Sequence, residues 1–311
     1  MGVDLRSKRW YAGDTGKDDW NALLLDNRLL DIKIVNRKRK KVKRFPAGFR
    51  QNTRQKGVLK FMQLRHMIPE VDTHTHTILS GHAWSTLTEN CCAARDRGMK
   101  GLCLTEHGPA IEGGAPAFIP HSQRMLPEVV EGIRVYKGIE INILDHQNHL
   151  DIDRDHLKLC EFAIASIHTH MFPEKANRDA NTATYLAMLA DPYIDILGHA
   201  DDPSVPCDFE AMVDQAQKYG KLLEFNNNST TAHRPGSLPS LKRYIQCCKA
   251  HGQRVCVASD AHFHTMVGTV GPMMALLDEL EFPQELIVNL TTERFDAYMR
   301  ERQARIQAIM D

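Results

Sequence analysis

No run of 18 apolar residues occurs in the 311-residue chain, so no part of it reads as a transmembrane helix. No apolar stretch followed by small residues opens it, so no secretory signal is expected and the cytoplasm is the expected compartment. The eight cysteines, from Cys91 to Cys256, form no C-x-x-C pair, and buried free thiols fit them better than a disulfide framework. G-x-G-x-x-G, a Walker A lysine loop, H-E-x-x-H and any internal repeat are all missing, which excludes the dinucleotide, P-loop and zincin readings. Net charge is lacking too, since 39 Lys and Arg balance 39 Asp and Glu. With 42% hydrophobic and 25% charged residues, the chain is neither wholly disordered nor collagen-like.

The neutral total conceals two unlike segments. Residues 1–66 hold 18 Lys and Arg against 6 Asp and Glu, a net +12, and the rest carries −12. Charge peaks at Arg37–Arg44, and 15 of the 16 histidines lie beyond residue 66. Residues 1–66 therefore read as a basic extension of low order, with three readings open. It is an arm for nucleic acid through residues 37–44, a solvated extension, or a stretch outside the native chain, which would then start at Met67.

From residue 67 to 311 the pattern becomes rhythmic and predicts one domain. Short apolar runs predict strands at Glu70–Thr75, Gly101–Thr105, Ile133–Ile141, Phe162–Ile167, Ile194–Gly198, Lys221–Phe225 and Arg254–Ser259. Thr86-Leu87-Thr88-Glu89 reads as a capping box opening a helix that ends near Gly98. Helical composition recurs at Thr182–Ala190, Asp208–Tyr219, Leu238–Ala250 and Thr292–Ile309, the last expected to close the barrel. Continuous apolar strands alternating with helices predict an α/β fold with a parallel sheet, closed into a TIM-like barrel of seven units.

The polar residues at the strand ends carry the chemistry. In order, the strands run into Asp72-Thr73-His74-Thr75-His76 with His82 beyond, Glu106-His107, Glu140, His168, His199, Asn226-Asn227-Asn228 and Asp260-Ala261-His262. The C-terminal ends of barrel strands share one face, where active sites are built. Alternation along an extended strand places His74 with His76, and Asp260 with His262, on a common side. Repetition at one topological position is the signal, because any single His-x-His is weak. Histidines elsewhere, such as His146, His149 and His233, read as solvated, and His170 and His264 as exposed neighbours.

These motifs resemble the PHP superfamily (polymerase and histidinol phosphatase), and its bacterial YcdX-type phosphatase branch in particular. The likeness spans residues 68–300 and includes Ser166-Ile167-His168, Gly198-His199 and Glu224-Phe225-Asn226-Asn227-Asn228-Ser229. The second motif departs from the usual T-D-H, reading Thr105-Glu106-His107. The resemblance implies a distorted (β/α)7 barrel with three divalent ions, zinc first, with manganese or iron as alternatives. It implies a first ion on His74, His76, Glu140 and Asp260, and a second shared through Glu140 with His168 and His199. A third would sit on His82, His107 and His262.

A face this cationic needs an anionic substrate, which favours phosphoryl transfer to water. The expected function is hydrolysis of a small phosphomonoester through a metal-bound hydroxide framed by Glu140, Asp260 and His168. Asp72 and Glu106 are candidates to orient ligand imidazoles from behind, and Arg178 and Arg234 to grip phosphate. Two other classes stay open: a phosphodiesterase or nuclease using the basic arm, and a metal-binding interaction module without turnover.

Overall fold

The computed structural model describes residues 64–173 and 177–310. The basic tract at residues 37–44, and all that is expected of residues 1–63, lie outside the described residues. Every expected strand is present: β1 (Val71–Thr75), β2 (Gly101–His107), β4 (Ile133–Asn142), β5 (Phe162–Ser166), β6 (Ile196–Leu197), β7 (Leu222–Asn226) and β8 (Val255–Ala258). An unexpected two-residue strand, β3 (Val129–Val130), pairs antiparallel with β4 across Glu131-Gly132. Both turn residues have positive φ, 52° and 83°, as a two-residue hairpin turn requires.

The other seven strands are parallel, in the order β1-β2-β4-β5-β6-β7-β8. Apart from two half-buried residues in β4, all are buried, which is why they read as unbroken apolar runs. Helices cover the outside. Thr86 and Glu89 form the expected capping box for Leu87–Asp96. Gly220 and Gly252 end Phe209–Tyr219 and Leu238–His251 in the left-handed conformation. Helix Arg178–Ala190 starts four residues earlier than expected, because Asn177 accepts from the Ala180 N–H (3.1 Å) and caps it there. Helix Gly271–Glu279 went unexpected.

No ladder joins β8 to β1, yet two devices close that gap. At the C-terminal end, the His76 N–H donates to the Ala261 carbonyl (2.9 Å) beside an isolated Thr75–Ala261 bridge. Lower down, the buried Asn289 amide fills the space. Its Nδ2 donates to the Val71 and Val257 carbonyls (2.8 and 2.7 Å), and its Oδ1 accepts from the Val257 N–H (2.9 Å). A side chain thus imitates a missing strand.

The barrel's lower interior is filled by Val71, Cys103, Tyr136, Phe162, Ile196, Leu222 and Cys256 from the strands. Phe295 and Tyr298 of helix Thr292–Met310 join them from below, so that helix closes the barrel as expected. Asp195 anchors it, accepting from Arg302 Nε (3.0 Å) and Arg305 Nη2 (2.6 Å). At the other terminus, Leu64 is buried in the main core, and Arg65 pairs with Asp278. All eight cysteines are free thiols. Among the described residues no helix is long and apolar enough to cross a membrane.

Candidate metal centre

The upper end of the barrel gathers seven imidazoles and two carboxylates around Glu140, at the end of β4. Glu140 Oε2 lies 2.7 Å from His107 Nδ1, 3.2 Å from His74 Nε2 and 3.5 Å from His76 Nε2. Its Oε1 lies 3.2 Å from His199 Nε2 and 3.5 Å from His168 Nε2. Asp260 Oδ1 faces the same His76 and His74 nitrogens at 3.3 and 3.7 Å, and His262 Nδ1 at 3.6 Å. His82 and His262 bring their Nε2 atoms within 2.9 Å, with both rings near His107.

Local backbone features explain how residues from six strands converge. The ladder between β1 and β2 slips between Asp72 and Thr75, where the Thr75 N–H donates to Thr105 Oγ1 (3.0 Å). Such a bulge re-aims the exit of a strand, here the one bearing His74 and His76. His199 and Asp260 have positive φ, 30° and 53°, and such strain in non-glycine residues gathers at functional sites. Gly198 is required for close approach: a Cβ there would come 2.2 Å from Ser166 Oγ, which donates to Glu140 Oε1 (2.6 Å).

The remote nitrogens of four imidazoles are spoken for, which fixes which nitrogen faces inward. His74 Nδ1 donates to Glu224 Oε1 (2.7 Å), and His262 Nδ1 to the Asp260 carbonyl (3.0 Å). His168 Nδ1 donates to Asn142 Oδ1 (2.6 Å), and Asp151, accepting from Asn142 Nδ2, sets the orientation of that amide. His76 Nδ1 meets Ser80 Oγ at 3.1 Å. The Nε2 atoms of these rings therefore point into the cluster. His74 Nε2, His76 Nε2, His107 Nδ1 and Glu140 Oε2 are buried there and crowd one another at 2.7–3.5 Å, yet none makes a hydrogen bond of good geometry. Buried lone pairs converging without donors are costly unless cations satisfy them, so the residues fit divalent metal. The compact triads are His74–His76–Glu140, His107–Glu140–His168 and His76–His107–His262.

Electrostatics agree with that donor set. Burial pushes His76 and His168 well below the ordinary imidazole pKa, so both are neutral and able to ligate. Burial alone would raise Glu140 and Asp260, but the surrounding imidazoles, and Arg234 for Asp260, hold both carboxyls well below their usual range. His74 is the exception: burial opposes its charge, yet Glu140, Glu224 and Asp260 raise its pKa well above normal, so without an ion it holds a proton that a bound cation would have to displace.

The remaining expected residues divide. Arg234 reaches the cluster, with Nη2 donating to Asp260 Oδ2 (3.0 Å) and Nη1 buried and unpartnered. Arg178 does not: it pairs with Asp208 (2.8 Å) in a separate cleft beside helix Phe209–Tyr219. Asp72 accepts from the Ser259 and Gly268 N–H groups (3.1 and 2.8 Å) and ties strand ends together rather than touching an imidazole. Glu106 acts one step back, accepting from Thr77 and from Ser80, the hydroxyl beside His76. His170 and His233 line the mouth of a cavity of about 410 Å³ in front of the cluster, which Arg234 also borders. Sequence reasoning singled out Asn226–Asn228 at a strand end but gave no role to Glu224, and it did not name Asn142. Glu224 shares the strand face of Asn226, and Asn226 and Asn228 both donate to Asp260 Oδ2 (3.2 Å).

Comparison with known proteins finds a matching family model and similar relatives. The PHP domain family model matches residues 72–228. A protein named "Probable phosphatase" from Caldanaerobacter subterraneus subsp. tengcongensis is 36% identical over 245 residues, which cover 79% of this chain and 95% of that protein. Another of that name from Acetivibrio thermocellus is 37% identical, covering 76% of this chain and 98% of its own. A crystal structure of histidinol phosphate phosphatase from Lactococcus lactis subsp. lactis, complexed with zinc, L-histidinol and phosphate, aligns with a TM-score of 0.47 at 16% identity. It covers 68% of this chain and 94% of that one. The family assignment rests on the family match and the sequence relatives.

Proposed function

Because the chain belongs to the PHP domain family, we propose that it is a metal-dependent phosphoesterase hydrolysing a small phosphate monoester at a trinuclear centre. One observation carries this reading: inward-facing imidazole nitrogens and two carboxylates converge at the strand ends, four of these donor atoms buried and unpartnered. His74, His76, Glu140 and Asp260 would hold one ion, Glu140, His168 and His199 a second, and His82, His107 and His262 a third. His107 belongs to two of the compact groups, since it also lies with Glu140 and His168. Imidazole with carboxylate and no thiolate suits zinc, and also manganese or iron. Bound divalent ions would supply Lewis acidity toward phosphoryl oxygens and lower the pKa of water.

Charge favours phosphate over a neutral ester. Three divalent ions with two carboxylates leave roughly four positive charges on this face, which an attacking hydroxide and a phosphate dianion would nearly neutralise. Water's oxygen bonds to phosphorus as the ester P–O bond breaks, and the proton released passes to the leaving alcohol. Arg234 Nη1 offers a donor to a phosphoryl oxygen, while the Nη2 bond to Asp260 fixes the guanidinium plane.

The test measures metal content of the purified full chain together with turnover of phenyl phosphate and its diester, bis(phenyl) phosphate. Three ions per chain with monoester turnover is expected, with both falling in Glu140→Gln and Asp260→Asn. Metal without monoester turnover sinks the phosphomonoesterase reading, and fewer than two ions sinks the ligand assignment.

A further inference from the structure

The cavity before the cluster is lined by two unlike sets of side chains. One is polar, the imidazoles with Asn228, Asp260 and Arg234, and the other is the apolar wall of Trp84, Ile111, Phe263 and Met266. Trp84 is 77% exposed and Phe263 39%, so the fold leaves most of the indole and part of the phenyl ring unburied. Neither stands on loose chain. The Trp84 N–H donates to the His262 carbonyl (2.8 Å), and the neighbouring Ser85 carbonyl accepts from the Ile78 N–H (2.9 Å). Ser85 Oγ accepts from the His264 N–H (2.8 Å), and the His264 ring lies 4.2 Å from that of Phe263. The indole and the phenyl ring are therefore rooted in the same hydrogen-bonded frame as His82 and His262.

Resting on the phosphoesterase reading, we propose that this wall selects the leaving group, favouring phosphate monoesters of a flat ring alcohol over those of polyols. The ring would lie on Trp84 and Phe263 while the phosphoryl group faces Arg234 and the cluster. A polyol has hydroxyls that need partners, and the apolar wall offers one good donor, the indole N–H, and no oxygen or nitrogen acceptor from its side chains. Placing hydroxyls there strips their water without replacing its hydrogen bonds. A flat ring has no such cost, and gains dispersion and quadrupole attraction against an aromatic face. The cavity, about 410 Å³, lies toward the small end of ligand sites and suits a phosphoryl group with one ring system.

The test uses two non-hydrolysable probes, phenylphosphonate and methylphosphonate, titrated calorimetrically into the metal-loaded full chain. Wild type is expected to bind phenylphosphonate about tenfold more tightly than methylphosphonate. Trp84→Ala should erase that gap, and Trp84→Phe should keep most of it. Methylphosphonate, having no ring to lose, reports whether the phosphoryl site stays intact in each variant. Equal affinities in wild type, or a gap that survives Trp84→Ala, overturn the wall and leave the phosphoesterase reading standing. Binding of neither phosphonate overturns both.

Discussion

Asn289→Ala tests whether a single amide closes this barrel. Asn289 makes three hydrogen bonds of 2.7–2.9 Å to Val71 and Val257, all in the buried gap between β1 and β8. Truncation would orphan the Val257 N–H, the Val257 carbonyl and the Val71 carbonyl together. An orphaned buried polar group costs about 1–3 kcal/mol, so three cost roughly 3–6 kcal/mol after partial relaxation. For a domain of this size that lowers the Tm by roughly 10–20 °C. The assay is urea and thermal unfolding of the metal-stripped protein, because bound ions would add stability by mass action and mask the loss. Asn289→Asp separates hydrogen bonding from shape. It keeps the size and one acceptor, yet aims a buried carboxylate at two carbonyls, and should be at least as damaging as Ala. A loss under about 1 kcal/mol for Ala, or an Asp variant close to wild type, would refute the argument.

Further outcomes follow from the same geometry. Arg234→Ala should lower kcat/KM for phenyl phosphate by about a hundredfold, since a charged donor aimed at the phosphoryl site is lost, whereas Arg178→Ala should change it less than twofold. Equal effects would reject that division. Leu64→Ala should destabilise the domain by about 2–5 kcal/mol, read by urea denaturation, because Leu64 is fully buried in the main core. Asp201 gives a pH signature: burial raises its carboxyl to about 6, against the partial pull of Arg234. A raised folded pKa means stability that is full below about pH 4 and lost as pH climbs through 6. Asp201→Asn, which cannot titrate, should therefore gain on wild type by roughly 3 kcal/mol between pH 4 and 7 in paired denaturation series, and a constant difference would contradict this.

How much of this was legible in sequence depended on whether a residue's role was local. Strands buried on both faces announce themselves as continuous apolar runs, and the polar residue that ends each run stands out against it. That contrast exposes His74, Glu140, His168, His199 and Asp260 before any coordinates exist. The boundary of Arg178–Ala190 was less legible, because the capping Asn177 stands ahead of the apolar pattern that marks the helix. Gly220 and Gly252 lie where the pattern stops, and there the reading and the structure agree.

Roles that depend on which strands become neighbours were hidden. Glu224 sits inside Leu222–Asn226, where an isolated acid in an apolar run says only that it needs a partner. Its partners, His74 Nδ1 and the His199 N–H, lie 150 and 25 residues away. Asn289 is hidden for the same reason, its partners lying 218 and 32 residues off in β1 and β8. Both residues do work that the seven-stranded topology creates. Glu224 holds the His74 ring supplied by β1 and accepts from the His199 N–H in the turn after β6, and Asn289 spans the gap where β8 and β1 meet without a ladder. The candidate ligands of such a centre can thus be read one strand at a time, but their aim cannot. The oxygen that fixes a ring, like the amide that closes the barrel, acquires its role only when distant strands become adjacent.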